Sequence, residues 1–428
     1  MLKPGYKQTD LGVLPEEWEV CSLSQLGELK NGINKSKEDF GHGFPFINLM
    51  DVFGISVINP SKKFGLINSS KGDRSAYSLL EGDVLFIRSS VKPEGVGLTA
   101  LVAKDLSDTV FSGFLIRFRS NERLKSGYKT YCFADENFRK RVIESSTVSA
   151  NTNINQDALR KLLIPVPPPA EQQAIAEALG AVDAILTSQQ QLLAKKRALK
   201  LATQQALLSG ERRLPGFAGE SEFEMLGELI LSKPAKAALE DKNELVSFIG
   251  MEDVSEYGQL LSSRQLSIQE VNKGLTYFER DDILVAKITP CFENGKGAHV
   301  DSLKTRKGFG STEFHVLRAN NNAIAKYIFY HTQSGDFRKK LEGEMIGTAG
   351  QKRVPIAAIL NYSLPFGHSK AEQRAIAAIL SDMDAEIEAL AAQVAKTQAL
   401  KQGMMQNLLT GNIRLRAGAA APSSHPAL

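Results

Sequence analysis

Residues 171–214 recur without a gap as residues 372–415, an offset of 201 with 19 of 44 positions identical. Both copies carry a helical pattern. In the second, Ile376, Leu380, Met383, Ile387, Leu390 and Val394 step by 4, 3, 4, 3 and 4, the spacing of a coiled-coil seam. The first places Ile175, Leu179, Val182, Leu186, Gln189 and Leu193 on the same steps. Each stretch starts a few residues after a proline and ends at a glycine, Gly210 or Gly411, as helix stop signals predict. A helix of ~40 residues is ~60 Å long at 1.5 Å per residue.

The repeat extends beyond these helices. LGEL stands at 26–29 and 226–229, FINLMDV (46–52) returns as FIGMEDV (248–254), GDVLF (82–86) as DDILV (281–285), and FRKRV (138–142) as FRKKL (337–341). The offsets stay near 200, too long for a solenoid unit. They imply duplication of a whole module, one globular domain followed by one long helix. The expected division is a first domain over 1–169, a helix over 170–211, a second domain over 212–369, a second helix over 370–416 and a disordered tail over 417–428.

Each domain reads as mixed α and β. VLFI at 84–87 is an apolar run suited to a buried strand. Residues 98–103 and 114–118 are further strands, and 128–144 a helix. The second domain repeats this with strands at 283–286 and 313–317 and a helix over 325–341. IPVPPP (164–169) reads as a stiff link, because proline cannot continue a strand or helix through it. The fold class expected is α+β: two mixed domains and two long antiparallel coiled-coil helices with pseudo-two-fold symmetry.

Hydrophobic residues make up 43% of the 428 positions, ample for packed cores. No apolar run is long enough to span a membrane, and the first ten residues hold no apolar core of a secretion signal. Cys21, Cys132 and Cys291 are an odd, scattered set. They argue for reduced thiols and a cytoplasmic location. A net charge of +4 is compatible with nucleic acid.

Catalytic signatures are missing. The sequence has no P-loop, no strand–GxGxxG–helix fingerprint and no HExxH. Asp282 and Lys287 on one strand suggest a nuclease pair only weakly; a charged strand end is the simpler reading. Binding chemistry is better represented. Arg88, Ser89, Ser90 and Lys92 follow the first buried strand, and Lys287, Thr289, Asn294 and Lys296 follow its counterpart. A second cluster precedes each long helix: Thr152, Asn153 and Asn155 in one module, Gln351, Lys352 and Arg353 in the other. Lys62 and Lys63 add a basic pair. Arginine and lysine clamp phosphate or guanine, asparagine reads adenine, and serine and threonine bond to either. Leu192, Leu199, Leu207, Leu208, Leu400, Leu408 and Leu409 lie off the helical seam, so they are expected on exposed faces as two equivalent partner sites.

These residues carry a resemblance. GYKQTDLGVLPEEWEV (5–20), LLIPVPPPAEQQAIAEAL (162–179), ALLSGERRLPGF (206–217), AEQRAIAAIL (371–380) and NLLTGNIRL (407–415) resemble the specificity subunit of type I restriction–modification systems over essentially the whole length. The helix start EQ-x-AIA after a proline-rich link, used twice, is the specific part. Phe223 departs from it, standing where a second tryptophan like Trp18 is expected. Residues 366–370 depart too, replacing the second proline cluster. The resemblance implies two target-recognition domains, each reading half of a bipartite double-stranded DNA site, and no catalytic activity of this chain's own. It implies two modification subunits that use S-adenosylmethionine to methylate adenine N6, and restriction motor subunits that use ATP and Mg. No cofactor is expected on this chain. Its loops differ between modules, so the half-sites should differ. The helices would act as a ruler, with four residues inserted after Leu208 lengthening the spacer. A coiled-coil scaffold without sequence-specific DNA binding is the alternative.

Overall fold

The computed structural model describes residues 3–218, 222–231, 244–271, 274–348, 350–366 and 368–415. The expected tail over 417–428 lies outside them. The chain forms two compact units: residues 1–190 with 393–428, and residues 191–392. Each unit therefore holds one globular part, the first half of one long helix and the second half of the other.

Unit 1 is built on a five-stranded sheet. Its order is Gly27–Asn31, Leu115–Ser120, Val84–Ile87, Thr99–Val102, Val57–Ile58. Val84–Ile87 is buried at all four positions, as its apolar run predicts. A three-stranded sheet, Val110–Phe111, Phe40–Ile47, Gly65–Ile67, completes this part. Unit 2 repeats the frame: Gly297–His299, Ile283–Ala286 and Phe314–Leu317 form one sheet, and Arg264–Ser267, Leu245–Ile249, Lys307–Gly310 and Thr276–Glu279 another.

Two expected elements differ in detail. The helix expected over 128–144 is two helices, Ser126–Cys132 and Glu136–Glu144. The Asp135 carboxylate accepts from the Phe138 N–H and caps the second, which restarts the chain in a new direction. Residues 325–341 divide in the same way into Ala325–Thr332 and Gly335–Glu342, with Ser334 as the cap. The proline link is likewise more than a spacer. Leu163–Val166 is a strand paired antiparallel with Glu19–Ser22. Pro165 is tolerated because this ladder has only two strands. Ser363–Pro365 pairs with Phe223–Met225 in the equivalent place.

The long helices span Pro169–Leu208 and Lys370–Leu408. Gly210 and Gly411, at φ 76° and 70°, take the left-handed turn that ends them. Within unit 1 the start of the first helix lies against the end of the second, tied by Lys401–Asp183 at 2.6 Å. Within unit 2, Lys200–Asp384 at 2.5 Å and Lys196–Glu386 at 2.6 Å tie the reciprocal halves. The pairing is antiparallel in both.

A buried lock repeats at each helix start. Glu171, 4% exposed, accepts from Trp18 Nε1 at 2.8 Å and from Arg414 Nε and Nη2 at 2.7 and 2.8 Å. Glu372, fully buried, accepts from Arg213 Nε at 3.0 Å. Each glutamate at one helix start thus holds the arginine just past the other helix's end. The next residues, Gln172 and Gln373, accept from the backbone N–H of Lys125 and Ile324 at 2.9 and 3.0 Å. Charge-assisted, bidentate bonds of this kind fix orientation as well as contributing energy. Phe223 does not take Trp18's place: it is 70% exposed.

Four of the leucines expected at the surface are core residues. Leu207 and Leu208 pack in unit 2 with Leu226, Leu229 and Tyr362; Leu408 and Leu409 pack in unit 1 with Leu14, Trp18 and Leu179. The last turn of each helix meets apolar residues far away in the sequence, so its spacing alone did not reveal the partner. Leu192, Leu199 and Leu400 are exposed as expected.

Candidate nucleic-acid interface

The two loop clusters of each module meet in space. In unit 1, Ser89–Ser90 pairs antiparallel with Thr152–Asn153, which pairs in turn with Thr147–Val148. The Ile154 N–H donates to the Arg88 carbonyl at 2.9 Å, and the Arg88 N–H to the Phe114 carbonyl at 2.8 Å. Unit 2 builds the same ribbon. Val354 N–H donates to the Lys287 carbonyl at 2.8 Å, Lys287 N–H to the Glu313 carbonyl at 2.9 Å, and Arg353 bridges to both Ile288 and Ile346. Each ribbon sits where the buried central strand, Val84–Ile87 or Ile283–Ala286, runs out into loops. A rigid sheet thus presents variable side chains.

The surfaces of these platforms differ. In unit 1, Ser89, Ser90 and Lys92 line a cleft of about 460 Å³ with Met50, Phe53, Val91, Phe114 and Asn151. Met50, Val91 and Phe114 are exposed. In unit 2, Arg353 donates through Nε and Nη2 to the two carboxylate oxygens of Glu313 at 3.0 and 2.8 Å. These hydrogen bonds hold the Glu313 carboxyl below its usual range. Gln351 and Lys352 are exposed beside the pair, and Lys287 is half-buried.

Several expected contacts have other work. Thr152 is 2% exposed and is a ladder residue, so it is withdrawn from the interface. Asn155 spends its side-chain oxygen capping the helix Gln156–Lys161 through the Ala158 N–H. Asn294 Nδ2 donates to Glu256, Thr289 Oγ1 to Glu293, and Lys296 Nζ to the Met251 carbonyl; all three brace the loops. Asn153 Nδ2 donates to the Asn151 carbonyl. Lys62 pairs with Asp51 at 2.9 Å, and with Lys63 it lines a different cleft, beside Pro45 and Phe64. Phe114 and Glu313 were missed by residue-type reasoning. Their equivalence was visible in the 199-residue offset that also relates the two buried strands.

Asp282 is 1% exposed and takes both Arg318 Nε and Nη2 at 2.7 Å. Asp83 holds Arg119 in the same way in unit 1. The weak nuclease suggestion gives way to a paired core carboxylate at the opposite end of the strand from Lys287. Among the described residues, no group of three His, Cys, Asp or Glu side chains could hold a metal ion. No helix among them is long and apolar enough to cross a membrane.

The duplicated frame matches a known one. A family model described as the type I restriction modification DNA specificity domain matches residues 15–195 and again 221–396. The chain belongs to this family. It is 39% identical over 145 residues to the type I restriction enzyme EcoAI specificity subunit of Escherichia coli, an alignment covering 33% of this chain and 24% of that one. It is 35% identical over 157 residues to the EcoEI specificity subunit of the same species, covering 36% and 26%. These matches span about a quarter of those relatives' lengths. The StySPI specificity subunit of Salmonella potsdam is 22% identical over 385 residues, covering 83% and 80%. In fold the specificity-family chain is similar to the crystal structure of a type I restriction–modification system S subunit from M. genitalium. The TM-score is 0.57 at 16% identity, covering 95% of this chain and 99% of that one.

Proposed function

We propose that this specificity-family chain is the DNA-reading subunit of a type I restriction–modification complex. Each unit reads one half of an asymmetric, bipartite double-stranded site. The chain directs adenine N6 methylation by two modification subunits and cleavage by restriction motor subunits, in the cytoplasm. It binds no cofactor itself; S-adenosylmethionine, ATP and Mg belong to the partners.

One observation carries this reading. The same platform is built twice, as a three-stranded ribbon in unit 1 and through single bridges in unit 2, and bears different side chains. A reader built twice suits a duplex, whose backbone has two-fold axes of its own. Different surfaces then specify different half-sites. Ser89, Ser90 and Lys92 on one platform, and Lys287, Gln351, Lys352 and Arg353 on the other, are the residues proposed to meet DNA. Leu199 and Leu400 occupy equivalent helix positions, 201 residues apart, and both are more than half exposed. With Leu192 they are proposed to meet the modification subunits.

Exchange of residues 20–160 for the matching segment of another family member tests modular reading. Methylation mapping of the complex should show one half-site changed and the other retained. Change in both, or in neither, would sink independent reading.

A further inference from the structure

The two platforms share a backbone but not a surface. Positions 114 and 313 correspond: each carbonyl accepts from the N–H of the residue that follows the central strand, Arg88 or Lys287. Positions 153 and 353 correspond as well, each pairing with the strand residue one further on, Ser89 or Ile288. Unit 1 places Phe114 and Asn153 there. Unit 2 places Glu313 and Arg353, a carboxylate and a guanidinium.

The pairing orients the guanidinium. Glu313 takes Nε and one face of Nη2; Nη1 leans at 3.4 Å on the Gln351 carbonyl. Arginine has five N–H donors in a rigid fork. With its side edge bound to Glu313, its end, the outer hydrogens of Nη1 and Nη2, presents two parallel donors. The Arg353 side chain remains 43% exposed. Two parallel donors match the O6 and N7 acceptors that only guanine places together in the major groove. A phosphate contact is disfavoured at this position, because the Glu313 carboxylate would repel a second anion. Lys352 beside it is exposed, pairs with no carboxylate among the described residues, and suits a phosphate better.

The geometry points to Arg353, held in place by Glu313, as the residue through which unit 2 reads one guanine of its half-site. The assignment rests on the DNA-reading function proposed above and adds the base. In unit 1, Phe114 and Asn153 stand at the corresponding positions, so this carboxylate-held arginine contact belongs to unit 2 alone.

The experiment uses the chain in complex with its modification subunits. Methylation mapping of the wild type first defines the site, and exchange of residues 20–160 tells which half belongs to which unit. A wild type without a defined site would end the DNA-reading function itself. With a site in hand, competition binding compares it with duplexes altered one base at a time. R353A should lose the preference for guanine at a single position of unit 2's half-site, roughly ten- to hundredfold (about 1.4–2.8 kcal/mol). R353K keeps the charge without the fork and should lose the same preference. E313Q should weaken it by a smaller factor. Preferences at every other position should persist. The assignment is overturned if R353A keeps all wild-type preferences or if all of them fall together. A uniform loss with a shallower salt dependence, the mark of a phosphate contact, overturns it too.

Discussion

His331 is 3% exposed, and its Nε2 has no hydrogen-bond partner. Burial pushes its pKa down to about 3, with the neighbouring His368 adding to the effect. The folded protein therefore holds the imidazole neutral, whereas the unfolded chain takes up a proton below pH ~6.5. The stability of unit 2 should be unaffected by this group above that pH and should fall below it, by up to about 1.4 kcal/mol per pH unit. In His331→Phe, which keeps an aromatic edge against Tyr327, that slope should disappear. Urea unfolding between pH 7 and 5 measures it, and equal slopes in both proteins would refute the account. Single residues were the hardest scale to infer from sequence. Thr152 and Asn155 have the residue types of a DNA contact, but whether a hydroxyl or amide faces solvent depends on ladders and caps that residue type does not encode. The lock residues were in view and unread. Glu171, Arg213, Glu372 and Arg414 are among the identical positions of the two helical copies, yet identity gave no hint that each pair closes across helices.

At the scale of elements, the long helices followed directly from their seam. Ile175, Leu179, Ile376 and Leu380 are all fully buried. The short helices did not, because Asp135 and Ser334 act as caps inside runs whose apolar spacing continues past them. The helix ends differ from the helix middles in purpose. Leu409→Asp should prevent unit 1 from folding, since it places a charge in a core with Trp18, whereas Leu400→Asp should leave the fold intact and weaken recovery of the modification subunit. Thermal melts and copurification separate the two. If Leu400→Asp melts like Leu409→Asp, or retains its partner fully, the division of labour is wrong. The same test on Leu208 and Leu199 should give the reciprocal result in unit 2.

For the whole molecule, the tandem repeat announced the architecture before any contact was known, because a gapless copy at an offset of 201 requires the same domain-plus-helix module to be built twice. What the repeat could not show was that each unit is assembled from both copies. This moves the place where the spacer is lengthened. Insertion after Leu208 would displace a core turn, whereas four residues after Gln190 and four after Ala392 fall at the boundaries between units and keep every helix tie within each unit in register. They add about 6 Å of helix, and the unspecified spacer between half-sites should lengthen by about one to two base pairs. Methylation mapping that finds the original spacer would dismiss the helices as a ruler.

The crossed lock also sets a schedule for synthesis. Unit 1 is lacking Leu408, Leu409 and Arg414 until the ribosome reaches the end of the second helix, more than two hundred residues after Gln190 has been made. At 5–20 residues per second, Glu171 waits roughly 10–50 s and Trp18 roughly 20–80 s for the residues that cover them. The first domain to be born is thus the last to be finished, and during that interval its open core is a place for chaperones to hold.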